Sequence, residues 1–321
     1  MNRDFVIHTL GCGSAKPSLR HQPSCTVVEH RGSLYMIDCG EGAQLAFMKQ
    51  RLSFTKLRHI FITHLHGDHV LGLPGLLSTL ALTGNGGELT IHTFQEGAGQ
   101  IKSMIDYFCR DTPFEIKYDI IKPEEKIILD TKSLTVRTLP LEHRIPTVGY
   151  VFEEKPKPRH INPAMTDFHQ VPVAMMKRIK EGEDFMKPDG TVVPNKMLTT
   201  DADPSYSYAH ISDTAYMPQL AGKIGPVDLL FHETTYLNDR EADAIERGHS
   251  TARQAAMVAR DAGAKCLLTG HYSSRYTDDT LFLKEAQEVF PNVILNTEGL
   301  RIDITGIEGK KLKDGIHGTY K

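Results

Sequence analysis

The stretch THLHGDHVLGLPGLL, beginning at Thr63, packs His64, His66, Asp68 and His69 into six positions and then turns apolar. Imidazole and carboxylate hold divalent metals. His64 and His66, two apart on a turn after a strand, can face one point, which a helix would not permit at that spacing. Asp68 and His69, where a helix begins, face a second point. With no cysteine close by, the set suits zinc or manganese and not a structural cysteine-type zinc. Half-sites this close would set two metals roughly 3.5–4 Å apart, a spacing used for phosphodiester hydrolysis.

Six residues cannot fill two coordination spheres, so further ligands must arrive from elsewhere in the chain. His143 in LPLEHRIP, Asp213 in AHISDTAY and His271 in LLTGHYSSRY each follow an apolar run and precede a turn. Singly, each has a plainer role: the histidines as surface or hydrogen-bonded core residues, Asp213 as a turn or helix cap. Beside the histidine cluster they become its candidate partners.

The elements that must position these groups are legible as periodicity. FVIHTLG, SLYMIDCG, HIFITH, ELTIHTF, SLTVRTL, VGYVF, SYAHIS, VDLLFHE and KCLLTGH read as strands. GAQLAFMKQ, QIKSMIDYF, TARQAAMVARDAG and FLKEAQEVF read as helices between several of them. Strands mixed with helices predict α/β layering, and the candidate residues sit at the C-terminal ends of the strands, where open α/β sheets place ligands. One segment breaks the pattern. From Glu153 to about Thr200 the chain is rich in Pro, Lys and Arg and reads as an excursion from the core; from Gly306 it is a polar, basic, loose tail.

Composition bounds the rest. The 321 residues are 40% hydrophobic, 24% charged and 7% aromatic, the profile of an ordinary globular protein and not of a fibre or a disordered chain. The net charge of −3 gives no general sign of nucleic-acid binding, though a local basic patch can hide under it. Five cysteines, odd in number and without a C-x-x-C, read as reduced thiols. No run is long and apolar enough to be a signal peptide or a spanning helix, so a soluble, cytoplasmic protein is expected.

The H-x-H-x-D-H signature resembles the metallo-β-lactamase superfamily. FITHLHGDHVLGLPGLL, IDCGEGAQ, LFHETTY, GHST and GHYSSRY are similar, more narrowly, to the ribonuclease Z family of tRNA 3′-processing endonucleases, over nearly the whole chain up to about Ile304. The resemblance implies an α/β (α+β) fold, a four-layer αββα sandwich. It would form one catalytic domain, 1–305, with an inserted flexible arm, 153–190, before the tail, 306–321. It implies two zinc ions per subunit, manganese being possible. His64, His66 and His143 would hold one ion, Asp68, His69 and His271 the other, and Asp213 would bridge them. Asp68 would also accept the proton of the attacking water, while Glu233 and His249 would protonate the leaving 3′ oxygen. On the residues alone, His249 also reads as a neighbour of the helix start at Ser250 and Thr251, and Glu233 as a turn acid. Asp38 would orient a metal-bound histidine, and His232 would stand behind the ligands.

For substrate, the resemblance implies precursor tRNA, a homodimer and no membrane. Lys16 and Arg20 lie in a loop, GCGSAKPSLRHQPS, corresponding to the family's acceptor-end loop Pro-x-Lys-x-Arg-Asn. Here the central Lys and the final Asn are missing, the latter replaced by His21. Lys177, Arg178 and Lys180 would grip the tRNA from the arm, helped by Lys155, Lys157 and Arg159. The arm's Gly-Pro appears as Val171-Pro172, and Ser212 stands where a glycine often precedes the bridging aspartate. Ser273 and Arg275 suit a phosphate or a structural ion pair. The implied activity is removal of the 3′ trailer, leaving a 3′-hydroxyl on the tRNA. The rivals are a phosphodiesterase or arylsulfatase of small esters on the same core, and a non-catalytic RNA-binding protein, which would be expected to lack ligands.

Overall fold

The computed structural model describes residues 5–83, 87–109 and 113–307, with the backbone alone at 308, 311–312 and 316–317. β1 (Phe5–Gly11), β2 (Cys25–His30) and β3 (Ser33–Ile37) form an antiparallel meander. Helices then carry the chain between strands. α1 (Ala43–Lys49) leads to β4 (Leu57–Phe61), α2 (Gly67–Val70) and α3 (Leu73–Leu82) to β5 (Glu88–Thr93), and α4 (Gln95–Phe108) to β6 (Glu115–Ile120). From β3 to β6 neighbours are parallel, the arrangement that helical crossovers produce.

β7 (Lys126–Asp130), β8 (Leu134–Leu141) and β9 (Thr147–Glu154) open a second sheet. The chain then makes its excursion through β10 (His160–Ile161), α5 (Pro163–Phe168), α6 (Met176–Lys180), β11 (Phe185–Met186), β12 (Val192–Val193), α7 (Asn195–Leu198) and β13 (Thr199–Thr200). It re-enters through β14 (Ser207–Ile211). α8 (Leu220–Ile224) leads to β15 (Leu229–His232), and α9 (Glu241–Arg247) with α10 (Ala252–Ala262) to β16 (Cys266–Leu268). α11 (Thr280–Gln287) leads to β17 (Val293–Ile294). β14 to β17 are parallel and their central strands are apolar and buried on both faces, so they read as unbroken hydrophobic runs. β18 (Arg301–Asp303) returns to pair with β1, and residues 316–317 add to its far edge. The tail expected from Gly306 lies largely outside the described residues.

The layers follow from which faces are apolar. Phe47, Leu73, Leu76, Leu77, Leu80, Ile101 and Ile105 of α1, α3 and α4 pack on the first sheet, while Leu220, Ala256, Ala259 and Phe282 of α8, α10 and α11 pack on the second. Each fully buried Leu or Phe contributes about 1.5–3 kcal/mol. Between the sheets, Phe61 of β4 meets Tyr150 and Phe152 of β9 edge-on, with centroids 5.2 and 5.5 Å apart, and the Tyr150 hydroxyl donates to the Ile62 carbonyl at 2.6 Å. The order is helix, sheet, sheet, helix, as the resemblance implied.

A second unit comprises residues 129–135 and 153–206. The excursion within it is built, not irregular. Val171, Ile179, Phe185, Val193 and Leu198 bury together, and the Asn195 amide donates to the carbonyls of Ile179 and Glu183 at 2.6 and 2.8 Å. Five apolar residues spread over 28 positions among prolines and lysines leave no periodic signal, which is why the sequence reads as loop.

Candidate metal centre

Strand ends bring the candidate residues together. β4 runs into Thr63 and His64, after which His66 caps α2 and puts Asp68 and His69 in its single turn. Gly72 starts the next helix against the loop after β3; a side chain there would meet the Gly40 carbonyl at 2.1 Å, so only glycine lets α3 dock so closely. His143 lies between β8 and β9, Asp213 just past β14, Glu233 past β15 and His271 past β16. The capping box of Thr251 and Gln254 fixes the start of α10 and with it the preceding His249.

The donors converge in two groups. His64 Nε2 and His143 Nε2 lie 3.0 and 3.3 Å from His66 Nδ1, and 3.6 and 3.8 Å from Asp213 Oδ2. On the other side, His69 Nε2 and His271 Nε2 lie 3.5 and 3.4 Å from Asp68 Oδ2, and 3.6 and 3.2 Å from Asp213 Oδ1. The two oxygens of Asp213 thus face different groups.

The positions of the protons follow from the outer partners. His69 Nδ1 donates to Asp38 Oδ2 and His143 Nδ1 to the Gly248 carbonyl, both at 2.7 Å. The Thr63 hydroxyl donates to Asp38 at 2.8 Å and the Thr235 hydroxyl to Glu233 at 2.6 Å. Each is therefore left to accept, from His64 Nδ1 at 3.1 Å and from His271 Nδ1 at 2.9 Å. Each of these four imidazoles makes its Nδ1 hydrogen bond outward and points Nε2 inward. Ser212, at the glycine position, is 3.2 Å from the Thr63 hydroxyl and joins the same outer ring.

Lone pairs facing carboxylates repel unless something positive stands between them. His69 Nε2, His271 Nε2 and Asp213 Oδ1 are buried without a hydrogen-bond partner, a costly state for three polar atoms in one place. Burial and neighbouring imidazoles hold His64 well below the ordinary range, and burial lowers His66 and His143 as well, which keeps all three neutral. His69 goes the other way: burial opposes its charge, but Asp38, Asp213 and Asp68 drive it up to about 10. Three neutral imidazoles, ionised carboxylates and a His69 that draws positive charge, set around unpartnered atoms, are a donor set that fits divalent cations.

Next to it, Glu233 is fully buried and takes five hydrogen bonds. Its Oε1 accepts from the backbone amides of Thr214 and Ser250 and from His249 Nδ1, at 3.1, 3.0 and 2.9 Å; its Oε2 accepts from the amide and hydroxyl of Thr235, at 2.9 and 2.6 Å. Burial alone would raise this carboxyl, but the pairing with His249 outweighs it and brings it down to about 2. The same pairing, also against burial, lifts His249 to about 9, so its imidazolium can deliver a proton at neutral pH.

A cleft of about 510 Å³ opens over these residues, lined by Asp68, Asp213, His249 and His271, by Lys16, Ser273 and Arg275, and also by Arg144 and Arg247. The last two escape sequence reading, because an exposed Arg, in a loop (Arg144) or at a helix end (Arg247), carries no local signature. Arg20 is not brought into the cleft lining. It donates to the carbonyls of Thr277, at 2.7 Å, and Tyr276, and pairs with Asp279 at 3.5 Å. His232 gives its Nδ1 to the Glu233 carbonyl at 2.8 Å. In the second unit, Lys177 and Arg178 are exposed and paired with Glu181 and Glu183, and Lys180 is exposed.

The family models that match are one described as anti-Pycsar protein Apyc1, over residues 5–152, and one described as a beta-lactamase superfamily domain, over 198–272. A ribonuclease Z of Parabacteroides distasonis is 49% identical over 302 residues, covering 94% of this chain and 99% of that protein. The chain belongs to the ribonuclease Z family. A ribonuclease Z of Phocaeicola vulgatus is 46% identical, over 95% of this chain and 99% of its own. The crystal structure of the short form of human tRNase Z is 24% identical, with a TM-score of 0.66 over 93% of this chain and 99% of that one, which shows the fold they share. As a ribonuclease Z family protein with a metallo-β-lactamase fold, the chain is a hydrolase of RNA phosphodiester bonds.

Proposed function

We propose that this ribonuclease Z family protein removes the 3′ trailer from precursor tRNA, leaving a 3′-hydroxyl on the tRNA and a 5′-phosphate on the trailer. The observation that carries the reading is the pair of donor groups sharing Asp213, with partnerless buried atoms between them, beside the Glu233–His249 pair. His64, His66 and His143 would hold one zinc ion, Asp68, His69 and His271 a second, with Asp213 common to both; manganese is the alternative metal. Bound there, the metals supply a water that ionises near neutral pH and offset charge on the scissile phosphate.

The chain's own residues do the rest. Asp68 takes the proton of the attacking water. His249, kept charged by Glu233, gives its proton to the leaving 3′ oxygen of the tRNA. Lys16, Arg275, Arg144 and Arg247 line the cleft with positive charge that draws in the phosphates on either side of the cut. Lys177, Arg178 and Lys180, all exposed, suit contact with backbone phosphates farther along the tRNA.

Two further readings accompany this one. Five free, buried thiols suit the reducing cytoplasm, and among the described residues no helix is long and apolar enough to cross a membrane. Exposed Leu45 and Met48 on α1 and Tyr107 and Phe108 on α4 offer apolar surface for a homodimer, which a purely monomeric mass in solution would remove.

The deciding experiment incubates the zinc-loaded protein with a 3′-extended tRNA and sequences the new ends. Cleavage after the discriminator base is expected; no cleavage, or cuts scattered through the tRNA body, would overturn the reading.

A further inference from the structure

Cys12, His21 and Glu298 form another compact group of metal-ligand side chains, with Cys12 Sγ 3.4 Å from both His21 Nδ1 and Glu298 Oε1. In this group, however, every facing atom has a partner. A proton on each nitrogen of His21 serves Glu298 at 3.2 Å and Asp279 at 2.8 Å. The Glu298 carboxylate also accepts from the amide of Gln22 at 2.9 Å. The cluster is balanced by protons and asks for no further cation. What it does is pin a loop.

That loop, residues 12–22, is closed at its base where the Gly13 amide donates to the Gln22 carbonyl at 2.9 Å. It is tied to the strand end carrying His271 by two bonds: the Ser14 amide to the Tyr272 carbonyl at 3.1 Å, and the Tyr272 amide to the Cys12 carbonyl at 2.9 Å. Arg20 adds its bonds to the carbonyls of 276 and 277. Two residues past Gly13, the Ala15 amide donates to Asp68 Oδ2 at 2.7 Å. To aim that amide Ala15 adopts φ +63°, a left-handed conformation that costs a non-glycine residue about 1 kcal/mol or more. Such a conformation persists only where its surroundings enforce it. His21, buried and held at both nitrogens by Glu298 and Asp279, fixes the return side of the same loop.

We propose that His21, with Glu298 and Asp279, is a positioning residue for catalysis: it holds the loop so that the Ala15 amide engages Asp68 through Oδ2 and leaves Oδ1 to receive the proton. Neither His21 nor Glu298 touches the substrate in this scheme; both act through Ala15. It also explains the departure of this loop from the family pattern, since the histidine at the final position is an internal anchor. The proposal rests on the reading of Asp68 as proton acceptor.

The test uses full-length His21→Gln and Glu298→Gln proteins, with metal content matched to wild type by elemental analysis. They are assayed on 3′-extended tRNA and on bis(p-nitrophenyl) phosphate. The expected result is a kcat lower by roughly 10- to 100-fold on both substrates, with KM for the tRNA unchanged. Adding Ala15→Gly to His21→Gln should recover most of that loss, because glycine takes a positive φ without cost. Unchanged kcat in both single variants, a loss seen only as raised KM, a loss that tracks missing metal, or no recovery with Ala15→Gly would each overturn the anchor. Failure of wild type to cut the tRNA at the trailer junction would instead sink the substrate reading, and the small diester would still test the anchor.

Discussion

Two clusters in this protein are built from the same residue types and do opposite things with protons. Around His21 the carboxylates of Glu298 and Asp279 outweigh burial, the imidazole's pKa is raised, and its two N–H groups satisfy both acids. Around Asp213 the imidazoles make their Nδ1 hydrogen bonds outward to Asp38, Gly248, Thr63 and Thr235, and three inward atoms are left bare. One cluster is complete as a hydrogen-bonded network; the other lacks positive charge at its centre. Residue type alone does not separate a structural knot from a metal centre. The outer partners do, because they decide which nitrogen keeps the proton.

The contrast breaks most visibly at Asp213. Replacing Asp213 with Ala should cut bound metal and bring pre-tRNA cleavage to background, whereas His21→Gln keeps its full metal content; equal metal loss in both, by elemental analysis, would erase the distinction. Next in size is His249→Ala, expected to lower kcat by about 10²–10⁴-fold with metal retained. Glu233→Gln sharpens this. Glu233 raises His249 to about 9, so removing its charge lowers that pKa, and the acid form disappears at a lower pH. The alkaline limb of the kcat profile should therefore move to lower pH. An unmoved limb would mean that His249 is not the proton donor. Smallest is Asp38→Ala, which leaves all seven ligands in place but frees His69 Nδ1 and Thr63; metal affinity measured by chelator competition should weaken by about 10–100-fold. Undiminished affinity would show that the outer ring does not hold the imidazoles.

The strands that carry the centre were readable because they are buried and apolar: FITH, AHIS, LLFH and CLLTGH stand out against polar turns, and they end in His64 and His271 or lead directly into Asp213 and Glu233. β2, β6 and β7 were not, since CTVVEH, EIKYDI and KIILD mix charge with apolar residues at sheet positions that are partly exposed or next to a strand end. The excursion was legible as a departure from the core but not as a folded unit, because Val171 to Leu198 find one another only in three dimensions. Arg20 stood beside Lys16 in the sequence, yet the turn of the loop sends its guanidinium to the carbonyls of 276 and 277.

What the sequence by itself determined was local: two histidines spaced to share a point, a helix starting beneath them, and strand ends that each deliver one donor. These follow from backbone periods of two and 3.6 residues, which need no knowledge of the rest of the chain. Only the tertiary structure decided how Asp213 divides its oxygens, which proton each imidazole keeps, and that His21 serves a loop and not a cation. Most of those outcomes depend on partners far along the chain, such as Asp38 for His69, 31 residues away, and Glu298 for His21, 277 away. No pattern along the chain encodes a hydrogen bond that exists only after two sheets have packed.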